Sequence, residues 1–288
     1  MLKVSLLIVT MGLIMSLQAQ VIPVFPAKPT DGDKKSDAKP KPKVVYKEKI
    51  VYRDRPVEKP AKKNNTINPE MVNIEGGTFT MGSIDSEAHY NEKVLHRVTV
   101  SSFSIGKYEV TQAQWQAVMG SNPSHFTDCP TCPVENVSWD DAQDYLAKLN
   151  QLTGKHYRLP TEAEWEFAAR GGNKSRGYKY VGGNMPDDVG WYIGNSGQKT
   201  HPIGSLQPNE LGLYDMVGNV CEWCSDWFGA YKGGDCTDPS GAESGTYRVL
   251  RGGSWKSPTR DCRATDRVDG TPDGRFSSLG LRVVCSHQ

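Results

Sequence analysis

The chain has 288 residues, with 34 Lys+Arg against 33 Asp+Glu and a formal charge of +1, so nothing in the overall balance calls for nucleic acid or an anionic membrane surface. At 37% hydrophobic residues with 29 Gly and 18 Pro, it reads as globular and loop-rich, which excludes a helical bundle or coiled coil. The first element is a targeting segment. Lys3 precedes an apolar run from Val4 to Leu17 and then Gln18-Ala19-Gln20, the pattern of a secretory signal peptide over residues 1–19, cleaved near Ala19. The run is too short for a comfortable membrane span, and an uncleaved anchor is the alternative reading. Export to the periplasm, the cell surface or the medium follows, with no transmembrane segment after cleavage. Residues 20–70 then change abruptly to Lys, Pro, Asp and Val. They hold 13 basic and 7 acidic residues, a local charge of +6 that leaves the remainder, apart from Lys3, at −6. Such a segment cannot bury enough apolar surface to fold alone, and its prolines favour extended conformations. It is a basic, disordered spacer before an acidic domain.

The domain covers residues 71–288. VNIEGGTFTMGS and HRVTVSSFSIGKYEV alternate small apolar with polar residues and predict strands. Three helices are marked by caps, since Thr111, Ser138 and Thr161 each stand three residues before a side-chain acceptor, namely Gln114, Asp141 and Glu164. The second helix carries Ala142, Tyr145, Leu146 and Leu149 at helical spacing and stops at Gly154; the third stops at Gly171-Gly172. Beyond Gly171 neither period persists. A large loop-built region is expected there, ordered by aromatic packing, ions or disulfides.

Eight blocks carry a resemblance. GGTFTMGS (76–83), KYEVTQAQW (107–115), NPSHF (122–126), PVENVSWDDA (133–142), RLPTEAEWEFAARGG (158–172), NELGLYDMVGNVCEW (209–223), RVLRGGSW (248–255) and LGLRVV (279–284) are similar, in order and spacing, to the formylglycine-generating enzyme or sulfatase-modifying factor family. The resemblance implies an α+β fold, a single compact domain with a C-type-lectin-like core and little regular secondary structure. It also implies structural calcium, with carboxylates from Asp215 and Glu222 and backbone carbonyls from Gly218 and Val220. A second set of ligands falls at Asp188, Val189, Asn195 and Gly197, where this chain is shorter. Several hard oxygens within one compact loop suit that ion.

The family's chemistry oxidises a substrate cysteine to formylglycine, with copper held by two enzyme cysteines just after a GGS block. Here GGS is Gly252-Gly253-Ser254, and the first catalytic position is Ser257. The stretch for the second is shortened, and Cys262 corresponds to a structural, disulfide-forming cysteine. Two thiolates are the natural holder of copper(I), so the resemblance implies a lost copper site and, with it, no standard formylglycine generation. Cys221 replaces a tryptophan beside the family's pocket, which makes Ser254, Ser257 and Cys221 the pocket positions to follow.

Seven cysteines leave several pairings open. Cys129-Pro-Thr-Cys132 reads as a local loop disulfide in an exported protein, with zinc shared with Cys221 and Cys224 as the alternative. Cys224 pairs with Cys262 or Cys236 on this reading. Trp255, Arg260, Arg267 and Arg275 lie in a polar, irregular segment and form the expected binding surface. The resulting expectation is an exported, non-catalytic binding module for a protein or peptide partner in the cell envelope, as in the gliding and secretion-apparatus relatives of Bacteroidetes-type envelopes. The alternative is an oxidase of the same family with a diverged metal site.

Overall fold

The computed structural model describes residues 67–286. The expected signal peptide and nearly all of the expected spacer lie outside the described residues. Four strands open the domain: β1 (Met71–Ile74), β2 (Gly77–Met81), β3 (His96–Val100) and β4 (Phe103–Gly106). They come from the two alternating segments, broken at Gly76, where a side-chain Cβ would stand 2.5 Å from the Val100 carbonyl oxygen. Only a glycine lets the chain turn that close to β3.

Helices α1 (Gln112–Met119), α2 (Trp139–Thr153) and α3 (Glu162–Ala169) then begin at Thr111, Ser138 and Thr161. Each is opened by a reciprocal capping box, including the shorter Ser138 and Asp141 pair, because the cap satisfies N–H groups that the first turn leaves without partners. Gly120 and Gly154 close α1 and α2 with left-handed backbone, φ 84° and 68°. Helix α2 buries Ala142, Tyr145, Leu146 and Leu149, as its spacing predicts, whereas all eight residues of α3 are buried, three glutamates among them.

The remaining strands are short: β5 (Tyr157–Arg158), β6 (Cys221–Trp227), β7 (Cys236–Thr237), β8 (Arg248–Arg251), β9 (Arg267–Gly270), β10 (Leu279–Gly280) and β11 (Val284–Ser286). A four-residue helix, α4 (Pro186–Val189), lies in the long stretch before β6. The sheets run β1-β4-β11-β5, β10-β6-β8-β9 and β2-β3-β7. In the second, β6 pairs antiparallel with β8, setting Glu222 opposite Arg251, and β8 pairs antiparallel with β9. Two apolar clusters fill the interior, one around Trp165, Phe167 and Val249 and the other around Trp115, Tyr145, Trp223 and Leu281. Among the described residues no helix is long and apolar enough to cross a membrane.

What holds the loop-built half is charge. Arg251, Arg263, Arg267 and Arg282 are buried and close on Glu166, Glu92, Glu162 and Glu222 respectively. The Arg263–Glu92 and Arg267–Glu162 pairs are bidentate at 2.6–2.7 Å, the geometry a guanidinium fork and a carboxylate share. Three of the four fasten a second-half arginine to a first-half glutamate. Burial alone would raise the Glu92 and Glu166 carboxyls; the facing guanidinium groups, Arg263 for Glu92 and Arg170 with Arg251 for Glu166, instead hold both below the usual range.

Candidate functional site

Strand β8 runs into the GGS turn, where Gly252 and Gly253 adopt φ of 91° and 68°. A Cβ on Gly253 would meet the Asp261 carbonyl oxygen at 2.7 Å and Cys262 Sγ at 3.1 Å, so the turn lies directly on the segment that follows it. On its other side it is tied to the 214–220 loop, since Gly218 N–H donates to the Gly252 carbonyl and Trp255 N–H to the Asn219 carbonyl, at 2.8 and 2.9 Å. Beside this turn is a cavity of about 340 Å³ lined by Cys221, Ser254, Ser257, Asp261, Asp266 and Phe276, among others. Ser254 is buried, its N–H donates to Ser257 Oγ at 3.0 Å, and the two hydroxyls are 3.2 Å apart. The pocket positions named from the sequence therefore do come together.

Cys221 is the cysteine that lines this cavity. Burial, and then Asp266 and Cys262, pushes its thiol well above the usual range. Cys262 lies under the GGS turn and is pushed up to about 12 by burial, then by Asp266 and Asp261. Both sulfurs are held as thiols by an apolar and acidic setting. Asp266, 1% exposed, is itself pushed up to about 7 by burial, then by Asp261 and Glu92.

Cys129 and Cys132 are joined by a disulfide, so that pair cannot share a zinc ion. The pairing of Cys224 with Cys262 or Cys236 is not what the structure contains: all three are thiols. Cys224 and Cys262 lie in the same apolar cluster, with Cys236 packed against it, and burial raises the Cys224 and Cys262 thiols there. Cys221 and Cys224 are three apart on β6, and an odd separation sends side chains to opposite faces. Cys224 packs with Trp165 and Val249 in one core cluster, and Cys221 packs against the other.

The residues expected to hold calcium meet a buried acidic centre. Asp215 takes φ 54° and accepts from Gly204 N–H at 2.6 Å, while Gly218 and Asn219 continue the left-handed turn. Next to them is Glu109, 1% exposed, which accepts from Val220 N–H at 3.1 Å and Asn219 Nδ2 at 2.8 Å. Burial, then the charges of Asp215 and Glu222, pushes Glu109 well up. Three carboxyl groups, Glu109, Asp215 and Glu222, lie around one guanidinium, Arg282. Glu222 is the exception in the set named from the sequence. Its oxygens accept from Trp165 Nε1 at 2.7 Å and from Arg282 in three contacts of 2.7–3.0 Å, which fills the roughly four lone-pair positions of a carboxylate. In the weaker set, Asn195 closes its own turn onto Tyr192 and Gly190, the Asp188 carbonyl accepts from Gln207, Val189 is in the core and Gly197 turns at φ 61°.

The expected binding surface is only partly a surface. Arg267 is 3% exposed and bound to Glu162, because it begins β9 and faces the interior under Tyr231 and Phe228. Arg275 is exposed but grips Asp141 at the start of α2 at 2.6 and 2.8 Å. Arg260 is the most open and touches Asp261 at 3.2 Å. Trp255 is half-buried, donates to the Ser277 carbonyl and packs edge-on to Phe126. Around the cavity the exposed apolar residues are Phe276 and Val268. Sequence reasoning assigns no role to Glu109, His89 or Asp266. Only the excess of glutamates in α3 over any solvated face, set against the arginine-rich last forty residues, hints at buried ion pairs.

Comparison with known proteins gives a consistent family. The "Sulfatase-modifying factor enzyme 1-like domain" matches residues 56–287. The chain is 36% identical over 274 residues to the "Chaperone protein LppX" of Paenibacillus barcinonensis, covering 77% of this chain and 91% of that protein. It is 31% identical to the "Formylglycine-generating enzyme" of Mus musculus, covering 76% and 75%. Among solved structures, "Treponema denticola variable protein 1" superposes with a TM-score of 0.69 at 35% identity, covering 75% of this chain and 95% of that one.

Proposed function

Because the chain belongs to the sulfatase-modifying factor enzyme 1-like family, we propose that it is an exported binding member of that family, whose GGS-side cavity receives a protein or peptide segment of the cell envelope. The observation that carries this reading is the sulfur content of the cavity. Its lining holds one thiol, Cys221, and Ser257, three residues past the GGS serine, is engaged with Ser254. Copper(I) is held by paired thiolates, whereas the nearby Cys262 is buried beneath the turn and is not among the residues lining the cavity. Phe276 and Val268 stand exposed at the cavity, with Lys256 over the Phe276 ring at 5.8 Å, a mixture suited to an extended peptide.

One observation favours the second reading, an oxidase with a diverged metal site: Cys262 lies near enough to Cys221 to add to the cost of ionising the Cys221 thiol. A single experiment separates the two. The full chain is incubated in air with copper and a sulfatase-type cysteine peptide, and the peptide is weighed by mass spectrometry. The binding reading expects unmodified peptide, together with a cross-linked envelope partner that is lost in Phe276→Asp. Formylglycine formed by the wild type and abolished by Cys221→Ser would establish the oxidase.

Calcium belongs to the same proposal. Glu109, Asp215 and the carbonyls of the 215–222 loop would hold it, supported by the gathering of these acids at one buried loop, and the ion would order a segment with little regular structure. Chelation lowers the melting temperature and calcium restores it if this holds. Export, with the basic spacer as tether, is checked by fractionating cells that express the full chain.

A further inference from the structure

We infer that His89, Asp261 and Asp266 form a binding site for a divalent first-row transition metal ion, with zinc as its representative. His89 precedes a 3-10 turn at Tyr90–Glu92, and the two aspartates flank Cys262 in the segment after the GGS turn. The fold brings His89 Nε2 to 3.3 Å from Asp261 Oδ1 and 3.6 Å from Asp266 Oδ1, with all three donor atoms within 4.8 Å of one another. Around an ion with bonds of about 2.1 Å, neighbouring ligands stand roughly 3.0–3.4 Å apart. Small side-chain rotations therefore close the set.

The independent observation is Asp266. It is 1% exposed, and neither of its carboxylate oxygens makes a hydrogen bond. The other buried acids around it are satisfied: Glu92 by Arg263, Glu162 by Arg267 and Glu166 by Arg251. Arg263 comes no nearer to Asp266 than 3.6 Å because both its terminal nitrogens are bound to Glu92. A buried carboxylate without hydrogen bonds is costly, and a cation shared with His89 and Asp261 removes that cost. On the open side Arg260 touches the same Asp261 oxygen, and it is 62% exposed and able to swing away.

The donor chemistry selects the ion. One imidazole nitrogen with two carboxylate oxygens suits zinc, manganese or iron(II), while calcium takes oxygen alone and copper(I) takes sulfur. Both aspartates also line the cavity, so the remaining coordination positions fall to water or to a donor on whatever enters it. This site is distinct from the 215–222 loop and stands whether or not the cavity binds a peptide.

The test uses the full chain without an affinity tag, stripped with chelator and reloaded with zinc or cobalt(II). One zinc per chain retained after dialysis, cobalt d–d bands without a thiolate charge-transfer band, and resistance to excess calcium are expected. His89→Ala and Asp266→Asn should each weaken zinc binding by at least about tenfold. His89 is partly exposed, so His89→Ala keeps the wild-type melt in chelator and carries the test if Asp266→Asn does not fold. Zinc binding unchanged in His89→Ala, a thiolate-to-cobalt band, displacement by calcium, or no retained metal would each overturn the site.

Discussion

Residues 71–170 and residues 171–286 are ordered by different means. The first stretch holds α1, α2 and α3, each started by its own capping box, and the β2–β3 pair that joins the two alternating segments. Its helix starts are written locally, within four residues at a time. In the second stretch, the run from Gly172 to Val220 contains, among the described residues, only a 3-10 turn and α4 as helices and no strand, and its neighbours are fixed by Arg251, Arg263, Arg267 and Arg282 on distant glutamates. Capping contributes small, separable increments. Buried ion pairs act together, because removing one partner strands the other's charge.

The sharpest way to break this comparison is Arg282→Met, which leaves Glu222 buried with Trp165 as its remaining partner. A loss of about 3–5 kcal/mol is expected, read from chemical denaturation, and the double change Glu222→Gln with Arg282→Met should recover a large part of it. If Arg282→Met costs no more than a lost cap, the two halves do not differ in the way described.

Next in size is a pH effect on β6. Burial, and then the charge of Glu162, pushes Asp226 up to about 7 from an ordinary 3.8. A carboxyl whose folded value is raised contributes stability below about pH 4 and loses it as the pH climbs through 7. Asp226→Asn should therefore appear more destabilising at pH 5 than at pH 8, and a gap that widens with rising pH would refute the assignment. Asp226 also accepts from the Glu162 N–H at 2.9 Å, a bond that the amide oxygen of the substituted side chain can still accept.

Caps come third. Ser138→Ala removes the oxygen that accepts from Asp141 N–H at 3.1 Å and should cost about 1 kcal/mol, with Thr161→Ala similar. The smallest effect is expected at the exposed Arg275–Asp141 pair. Arg275→Ala should change stability by less than about 1 kcal/mol, and by less still in high salt; a cost equal to that of Arg282→Met would mean that exposure does not separate the two kinds of pair.

Legible in the sequence were the family, the strands on either side of Gly76, the three helix starts with the ends of the second and third, and, through the family resemblance, Ser254, Ser257 and Cys221 as the pocket positions to follow. The helix starts and turns depend on short-range chemistry, such as a hydroxyl three residues before an acceptor or a glycine where the backbone turns left-handed, whereas the pocket positions rest on the family resemblance. Long-range packing settled instead that Arg267 points inward and that Cys224 faces away from Cys221. It also settled that Glu222 is filled by Arg282 and that His89 meets Asp261 from 172 residues away, with Asp266 beside them. An arginine or aspartate reads identically in sequence whether solvated or buried. Its role is fixed by which partner the fold delivers, and Coulomb interactions inside a protein pair groups without regard to their distance along the chain.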